Sequence, residues 1–343
     1  MNTPDSNAQI SPPSTILVTG GTGFLGAYII RDLIQAGYRV RALRRKPSLP
    51  QYIDTSILNQ AEWIECDLFD LDGLAEAVDG ATAVIHSAAV VSFRNSESDS
   101  LMRTNVEGTE NIVNVSVEHN VSRFVHVSSV AALGKSMNGE LVTESSPWKE
   151  SKRNTVYAVS KYNAEMHVWR GIAEGLNAVI VNPSTILGYG NWNSSSTAIF
   201  RKVYSGFPWF STGGTGFVDV EDVSRAIIQL MATNIHSERF ILNGENWSYR
   251  KLLETIADGF NIRRPNKEAG PFVAGVAWRM EKLRSLFTGS PPLLTAETAR
   301  ISRSHSRYDN SKIKSALPGF TFANLEQTIK QACGRYLAEI QQR

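Results

Sequence analysis

Residues Thr15–Thr19 (TILVT) form the first β-branched run of the chain, and a glycine-rich turn, Gly20–Gly26 (GGTGFLG), closes it. Beyond the turn Leu25, Ile29 and Leu33, with Ile30 and Ile34 beside them, recur at helical spacing until Gly37. Short apolar runs follow at Tyr38–Leu43, Trp63–Cys66, Ala83–His86, Arg123–Val127 and Ala178–Asn182. Helical stretches at Asn105–Glu118 and Tyr157–Ala173 lie between the later ones. Strands alternating with helices in this way predict βαβ units with right-handed crossovers. The expected fold is α/β and doubly wound, with a parallel sheet covered on both faces.

After Pro183 the rhythm breaks. Gly188–Gly216 is rich in Gly, Ser, Asn and aromatic residues, Phe217–Val220 reads as a strand before a helix from Glu221, and Phe240–Leu242 as a further strand. The last 100 residues look mainly helical, with proline joints at Pro265, Pro271 and Pro291-Pro292. A smaller, interleaved, mainly helical lobe is therefore expected to close over the ends of the strands. Gly213-Gly214-Thr215-Gly216 repeats the letters of the first glycine turn without its flanking strand or third spaced glycine, and is read as an ordinary turn.

Composition narrows the function classes. Lys plus Arg number 35 against 33 Asp plus Glu, a net charge of +2 that gives no electrostatic case for nucleic-acid binding. No apolar run approaches the roughly 20 residues needed to span a bilayer. Residues 1–14 read as a loose polar tail and not as a signal peptide. Two cysteines, Cys66 and Cys333, belong to no metal-binding cluster, so no metal is expected and a reducing, cytoplasmic setting is.

Gly20, Gly23 and Gly26 stand between a strand and a helix, where glycine lets a backbone approach a pyrophosphate and the helix end holds its charge. A tight turn with no ligand is the alternative. Arg44, 18 residues beyond Gly26, occupies the place where an acid would bond a ribose 2′-hydroxyl; Arg41 and Arg45 are close by. A guanidinium there pairs with a 2′-phosphate, which favours NADP(H) over NAD(H) unless these arginines are simply solvated. Asp67, past the third strand, suits either the adenine amino group or a helix cap.

Tyr157 and Lys161, four residues apart, share one helix face. The lysine ammonium beside an oxidised nicotinamide should draw the phenol pKa down from about 10. Ser128-Ser129 ends the fifth strand, where ligands of such sheets bind. Ser129 is placed to bond a substrate oxygen while Tyr157 moves the proton; a helix cap is the plainer role for the serine pair.

Thr19–Gly26 (TGGTGFLG), His86-Ser87-Ala88-Ala89, Asn105–Thr109 (NVEGT), Val127–Gly134 (VSSVAALG), Tyr157–Lys161 (YAVSK) and Asn182-Pro183-Ser184 resemble, in order, the extended short-chain dehydrogenase/reductases. The resemblance spans about residues 15 to 245. It implies that Tyr157 is the catalytic acid/base, that Lys161 bonds the nicotinamide ribose and that Ser129 polarises the substrate. It also implies that Gly20, Thr22, Gly23, Phe24, Leu25, Arg44, Asp67, Leu68, Ala88, Ser128, Tyr157, Lys161, Pro183 and Ser184 line the cofactor. Asn105 either joins them or only anchors the adjacent strand.

The second half, with NPSTILGYG at 182–190, GFVDVEDV at 216–223 and YDNSK at 308–312, looks like the dihydroflavonol-4-reductase-like branch. That implies NADPH-dependent reduction of a ketone or aldehyde, a small-molecule carbonyl or alcohol substrate, and a homodimer through the helices at 105–118 and 157–173. Residues 15–187 with about 217–245 would form a Rossmann domain, and about 188–216 with 246–343 the substrate lobe. A nucleotide-sugar epimerase or dehydratase holding NAD, a 3β-hydroxysteroid dehydrogenase-like enzyme, and a cofactor sensor without turnover remain as alternatives. Phe93, Met137, Tyr189, Trp192, Tyr204, Phe207 and Trp209 could line an aromatic cavity or be core. Phe272–Trp278, followed by Arg279, Lys282 and Arg284, reads as a buried helix or a lid.

Overall fold

The computed structural model describes residues 10–92, 97–135, 140–151, 154–270 and 302–341. Phe93, Met137 and the stretch 272–284, with Pro271 and Pro291-Pro292, lie outside the described residues. Seven strands build the central sheet: β1 (Thr15–Thr19), β2 (Arg39–Arg44), β3 (Glu62–Glu65), β4 (Ala83–His86), β5 (Arg123–Val127), β6 (Ala178–Pro183) and β7 (Glu238–Leu242). Their order is β7-β6-β5-β4-β1-β2-β3, and every neighbouring pair is parallel. The order reverses between β1 and β4, so a crevice opens there at the carboxyl ends of the strands.

The alternation of side chains along β1 sorts the core into two layers. Ile16 and Val18 join a cluster with Leu25, Ile29 and Leu33 of the helix Phe24–Gln35 and with Val223 and Ile227 of the helix Val220–Met231. Leu17 faces the other way, to Val84, Phe124, Ile180 and the helices Leu71–Val78, Gly108–Glu118 and Val156–Ala173. Strands buried on both faces lean apolar, as in Ala83–Ile85 of β4 and Phe124–Val125 of β5; the buried Arg123 compensates by donating to Asn177 and to the Leu230 carbonyl, each at 2.7 Å. Each such Leu, Ile or Phe contributes roughly 1.5–3 kcal/mol through burial.

A third cluster lies apart from these layers. Phe200, Phe217, Trp247, Leu252, Ile329 and Tyr336 are buried in it. Beside it runs a three-stranded sheet of Thr185–Leu187, Gly214–Asp219 and Glu245–Ser248. Of the turn expected at Gly213–Gly216, Gly214–Gly216 instead open the middle strand of that sheet. The glycines serve packing: a Cβ at Gly214 would stand 2.7 Å from the Trp247 carbonyl oxygen, and one at Gly216 would stand 2.1 Å from Asn243 Oδ1. Tyr189, Trp192 and Tyr204 pack on Tyr336 and Phe260 with ring centroids 4.8–5.1 Å apart; Tyr189 and Trp192 are half-buried at the edge of this cluster, and Tyr204 is exposed.

The C-terminal helix, Leu325–Gln341, reaches back to the first crossover. Arg335 donates to the Tyr52 carbonyl at 3.0 Å, and the Tyr52 hydroxyl donates to the Gly23 carbonyl at 3.0 Å. Tyr336 accepts from the Gly190 amide at 3.0 Å, while Tyr28 donates to the Tyr189 carbonyl at 2.7 Å.

Candidate active site

The site is built from what each strand delivers at its carboxyl end. At β1 the chain turns through Gly20 with φ +71°, a left-handed conformation open to glycine, and a Cβ there would stand 2.7 Å from the Ala88 backbone. The Gly23 amide closes this turn on the Gly20 carbonyl at 2.9 Å. A Cβ at Gly26 would stand 2.2 Å from the same carbonyl oxygen, so helix and turn are in backbone contact. The helix opens at Gly23 with no side-chain cap and no acidic residue in its first turn, leaving the amides of Phe24 and Leu25 without intrahelical acceptors. Thr22 is exposed beside them. Such a terminus suits an anion.

Along the crevice from β1, Arg44 ends β2, donates to the Pro47 carbonyl at 3.2 Å and lies 6.0 Å from the Trp63 ring centroid. Its Nε is buried without a hydrogen-bond partner. Arg41 is held elsewhere, by Glu62 and by the carbonyls of Ala77 and Asp79. Asp67 accepts from the Phe69 amide at 3.2 Å, and the following helix is capped by Asp70, not Asp67. Leu68 is buried against Gly108. The Ala88 amide donates to Thr19 Oγ1 at 3.2 Å.

On the other side of the switch point, Ser128 and Ser129 follow β5. The Ser128 hydroxyl is buried with no partner, whereas Ser129 accepts from the Ala131 amide at 3.1 Å and is also hydrogen-bonded to Tyr157. Ser129 therefore caps the short helix Val130–Ala132 and meets the phenol at once. Tyr157 sits in the first turn of Val156–Ala173, whose start is fixed by the Ala158 amide donating to Thr155 Oγ1 at 2.9 Å. Burial pushes the Tyr157 phenol up, and the bond to Ser129 pulls the other way. That upward direction differs from the lowering expected from Lys161. The buried Lys161 ammonium instead donates to the Val127 carbonyl at 2.8 Å, and burial brings its pKa down to about 8 against the raising influence of Glu165. Pro183 and Ser184 close β6, with the Ser184 amide bonded to the Leu242 carbonyl at 3.0 Å.

The fold thus gathers Ser129, Tyr157 and Lys161 at the end of β5, with Ser128 beside them, and sets the glycine turn at β1 and Arg44 at β2. Asn105 acts as an anchor: its amide exchanges hydrogen bonds with the Val90 backbone at 2.7 and 2.9 Å and donates to Ser160 at 3.0 Å. It lies in a π-helical turn, Arg103–Glu107, so the helix expected from Asn105 becomes α-helical only at Gly108. Sequence reasoning missed Glu165, Arg239 and Tyr52. An acid one four-residue step beyond Lys161 on the Tyr157–Lys161 face was the available signal for Glu165.

The model of the NAD dependent epimerase/dehydratase family matches residues 16–242. The chain belongs to that family. A relative named putative dihydroflavonol 4-reductase, from Synechocystis sp., is 31% identical over 333 residues, covering 95% of both chains. The solved structure of gox2253 aligns with a TM-score of 0.80 at 29% identity, over 95% of this chain and 98% of that one. MoeE5, solved in complex with UDP-glucose and NAD, has a TM-score of 0.75 at 22% identity over 95% and 100%, a likeness of fold. The family binds a nicotinamide dinucleotide, and the chain is an oxidoreductase of this NAD(P)-dependent kind. Among the described residues no helix is long and apolar enough to cross a membrane, and no cluster suits a metal ion.

Proposed function

We propose that the chain reduces a ketone or aldehyde with NADP(H), using Tyr157 as proton donor. The observation that carries this reading is the Ser129–Tyr157 hydrogen bond at the carboxyl end of β5, one helical turn from the buried Lys161. The residues fit the dinucleotide. Gly20 and Gly26 let the turn pack tightly on the Ala88 backbone and on the helix start, and the Phe24 and Leu25 amides suit the pyrophosphate beside Thr22 and Gly23. The partnerless Arg44 Nε supports a 2′-phosphate contact, with Asp67 and Leu68 on the adenine side. Ala88, the partnerless Ser128 hydroxyl, Pro183 and Ser184 line the nicotinamide half, and Lys161 holds its ribose.

When bound, the reduced nicotinamide supplies the hydride. Ser129 donates a hydrogen bond to the substrate carbonyl oxygen, and Tyr157 delivers its phenolic proton to the same oxygen, which completes the alcohol. The Lys161 charge favours the phenolate left behind. Residues 188–216 and 246–343 form the lobe that selects the substrate, 15–187 and about 217–245 the nucleotide domain, and two copies pair through the helices at 105–118 and 157–173. The deciding experiment follows NADPH oxidation against a panel of aldehydes, ketones, flavanonols and steroids, with Tyr157→Phe beside the wild type. Turnover that falls about a hundredfold or more in the variant, with NADPH binding retained, is expected. Near-native turnover in the variant refutes the mechanism. Stoichiometric NAD released from the purified protein by heat points to epimerase or dehydratase chemistry instead.

A further inference from the structure

Glu165 is fully buried on the helix face that carries Tyr157 and Lys161, at the next four-residue step. A carboxylate in a dry site needs compensation. One oxygen accepts from Asn182 Nδ2 at 2.5 Å, and the other pairs with Arg239 at 3.2 Å. The same Asn182 nitrogen donates to the Ser129 carbonyl at 3.0 Å. A connected path therefore runs from Arg239 on β7, through Glu165 and Asn182 on β6, to the backbone of the serine that bonds Tyr157. Had Glu165 served only to tie the helix to the edge strand, the Arg239 pair would have sufficed. The Asn182 bridge and the step to Lys161 direct it towards the proton-transfer group.

We propose that Glu165 is a positioning residue: its carboxylate keeps the Lys161 ammonium charged and, through Asn182, fixes the backbone of Ser129. This rests on the reading of Ser129, Tyr157 and Lys161 as the proton-transfer group. The other groups facing this pocket leave the task to Glu165. His86 on β4 and His126 on β5 are buried and held neutral, their pKa values lowered by burial and by Lys161 itself. Arg239 is a cation, Tyr157 is raised by burial, and Glu144 on the loop 140–151 gives its carbonyl to Arg239 and a carboxylate oxygen to the Ile241 amide. Glu165 is the influence that raises Lys161 against burial.

The sign is fixed. Below its midpoint Lys161 is charged and favours the phenolate, and above it that support is lost; removing the carboxylate moves the midpoint down. The test titrates the protein carrying isotope-labelled lysine by NMR, with the Lys161 signal assigned through its loss in Lys161→Met. The wild-type midpoint is expected near pH 8. Glu165→Gln should lower it by about one unit or more, and Glu165→Asp should stay with the wild type. In turnover, Glu165→Gln should lower kcat, leave the KM for NADPH unchanged and shift the alkaline limb of the pH profile to lower pH. An unshifted midpoint in Glu165→Gln overturns the proposal. Should that variant not fold, the wild type decides alone: a midpoint near ~5–6, where uncompensated buried lysines titrate, refutes the role. A fully active Tyr157→Phe would sink the functional reading while leaving the titration result standing.

Discussion

Gly26→Ala tests the proposed phosphate contact of the glycine turn most directly. The new Cβ would stand 2.2 Å from the Gly20 carbonyl oxygen and 2.8 Å from its carbon, both backbone atoms that cannot rotate away. The turn must open. Overpacking of this kind costs ~1–3 kcal/mol, from which alanine recovers about 1 kcal/mol of helix propensity. A net loss of up to about 2 kcal/mol lowers the melting temperature of a chain this long by at most a few degrees, at about 1–2 °C per kcal/mol. Binding should suffer more than stability. Each charge-assisted hydrogen bond lost from the turn is worth about 1.5–3 kcal/mol, so NADPH affinity should fall about tenfold to a hundredfold. Gly80→Ala is the control, because Gly80 also has a left-handed backbone (φ +69°) but nothing within 4 Å of its Cβ position. It should melt earlier by about 1–3 °C, from a backbone strain of roughly 1–2 kcal/mol, and bind NADPH as the wild type does. Fluorescence titration with NADPH beside thermal unfolding measures both. Wild-type affinity in Gly26→Ala would show that the phosphates rest elsewhere.

The remaining predictions address charge. Arg44→Asp should shift preference from NADPH towards NADH by about tenfold or more, read from paired titrations, since a carboxylate repels a 2′-phosphate; equal wild-type affinity for both nucleotides removes the basis of that expectation. Asp222 is buried, accepts from the Ala323 amide at 2.6 Å and pairs with Arg225, and burial raises its carboxyl to about 6. A raised acid favours the folded state below its unfolded pKa and loses that contribution as pH climbs through the folded value. The melting temperature of Asp222→Asn should therefore gain on that of the wild type between about pH 4 and 6, by up to about 2 kcal/mol in stability. A gap that does not change with pH contradicts this.

The parallel sheet was legible because its signals are local. Ile16, Leu17 and Val18 are apolar in succession, Gly20 marks the turn and Leu25, Ile29 and Leu33 mark the helix, all within 20 residues. The placement of Tyr157, Lys161 and Ser129 around one strand end was legible for the same reason, each tied to the end of a strand or the start of a helix. The network behind them was not. Glu165 meets Asn182 and Arg239 only after 17 and 74 residues of intervening separation, and no periodicity encodes that encounter. Gly214 and Gly216 misled for a related reason: their smallness answers to Trp247 and Asn243, residues about 30 positions away that crowd the strand. Tyr52 gave no signal at all, because its partner Gly23 and its anchor Arg335 lie 29 and 283 residues away.

That anchor bears on the order in which the molecule is completed during synthesis. The βα unit from Thr15 to Gln35 is made long before Arg335, whose side chain tethers the loop that grips the Gly23 carbonyl. A nascent chain can fold its sheet early, but the glycine turn gains this last restraint only after Arg335 has been made.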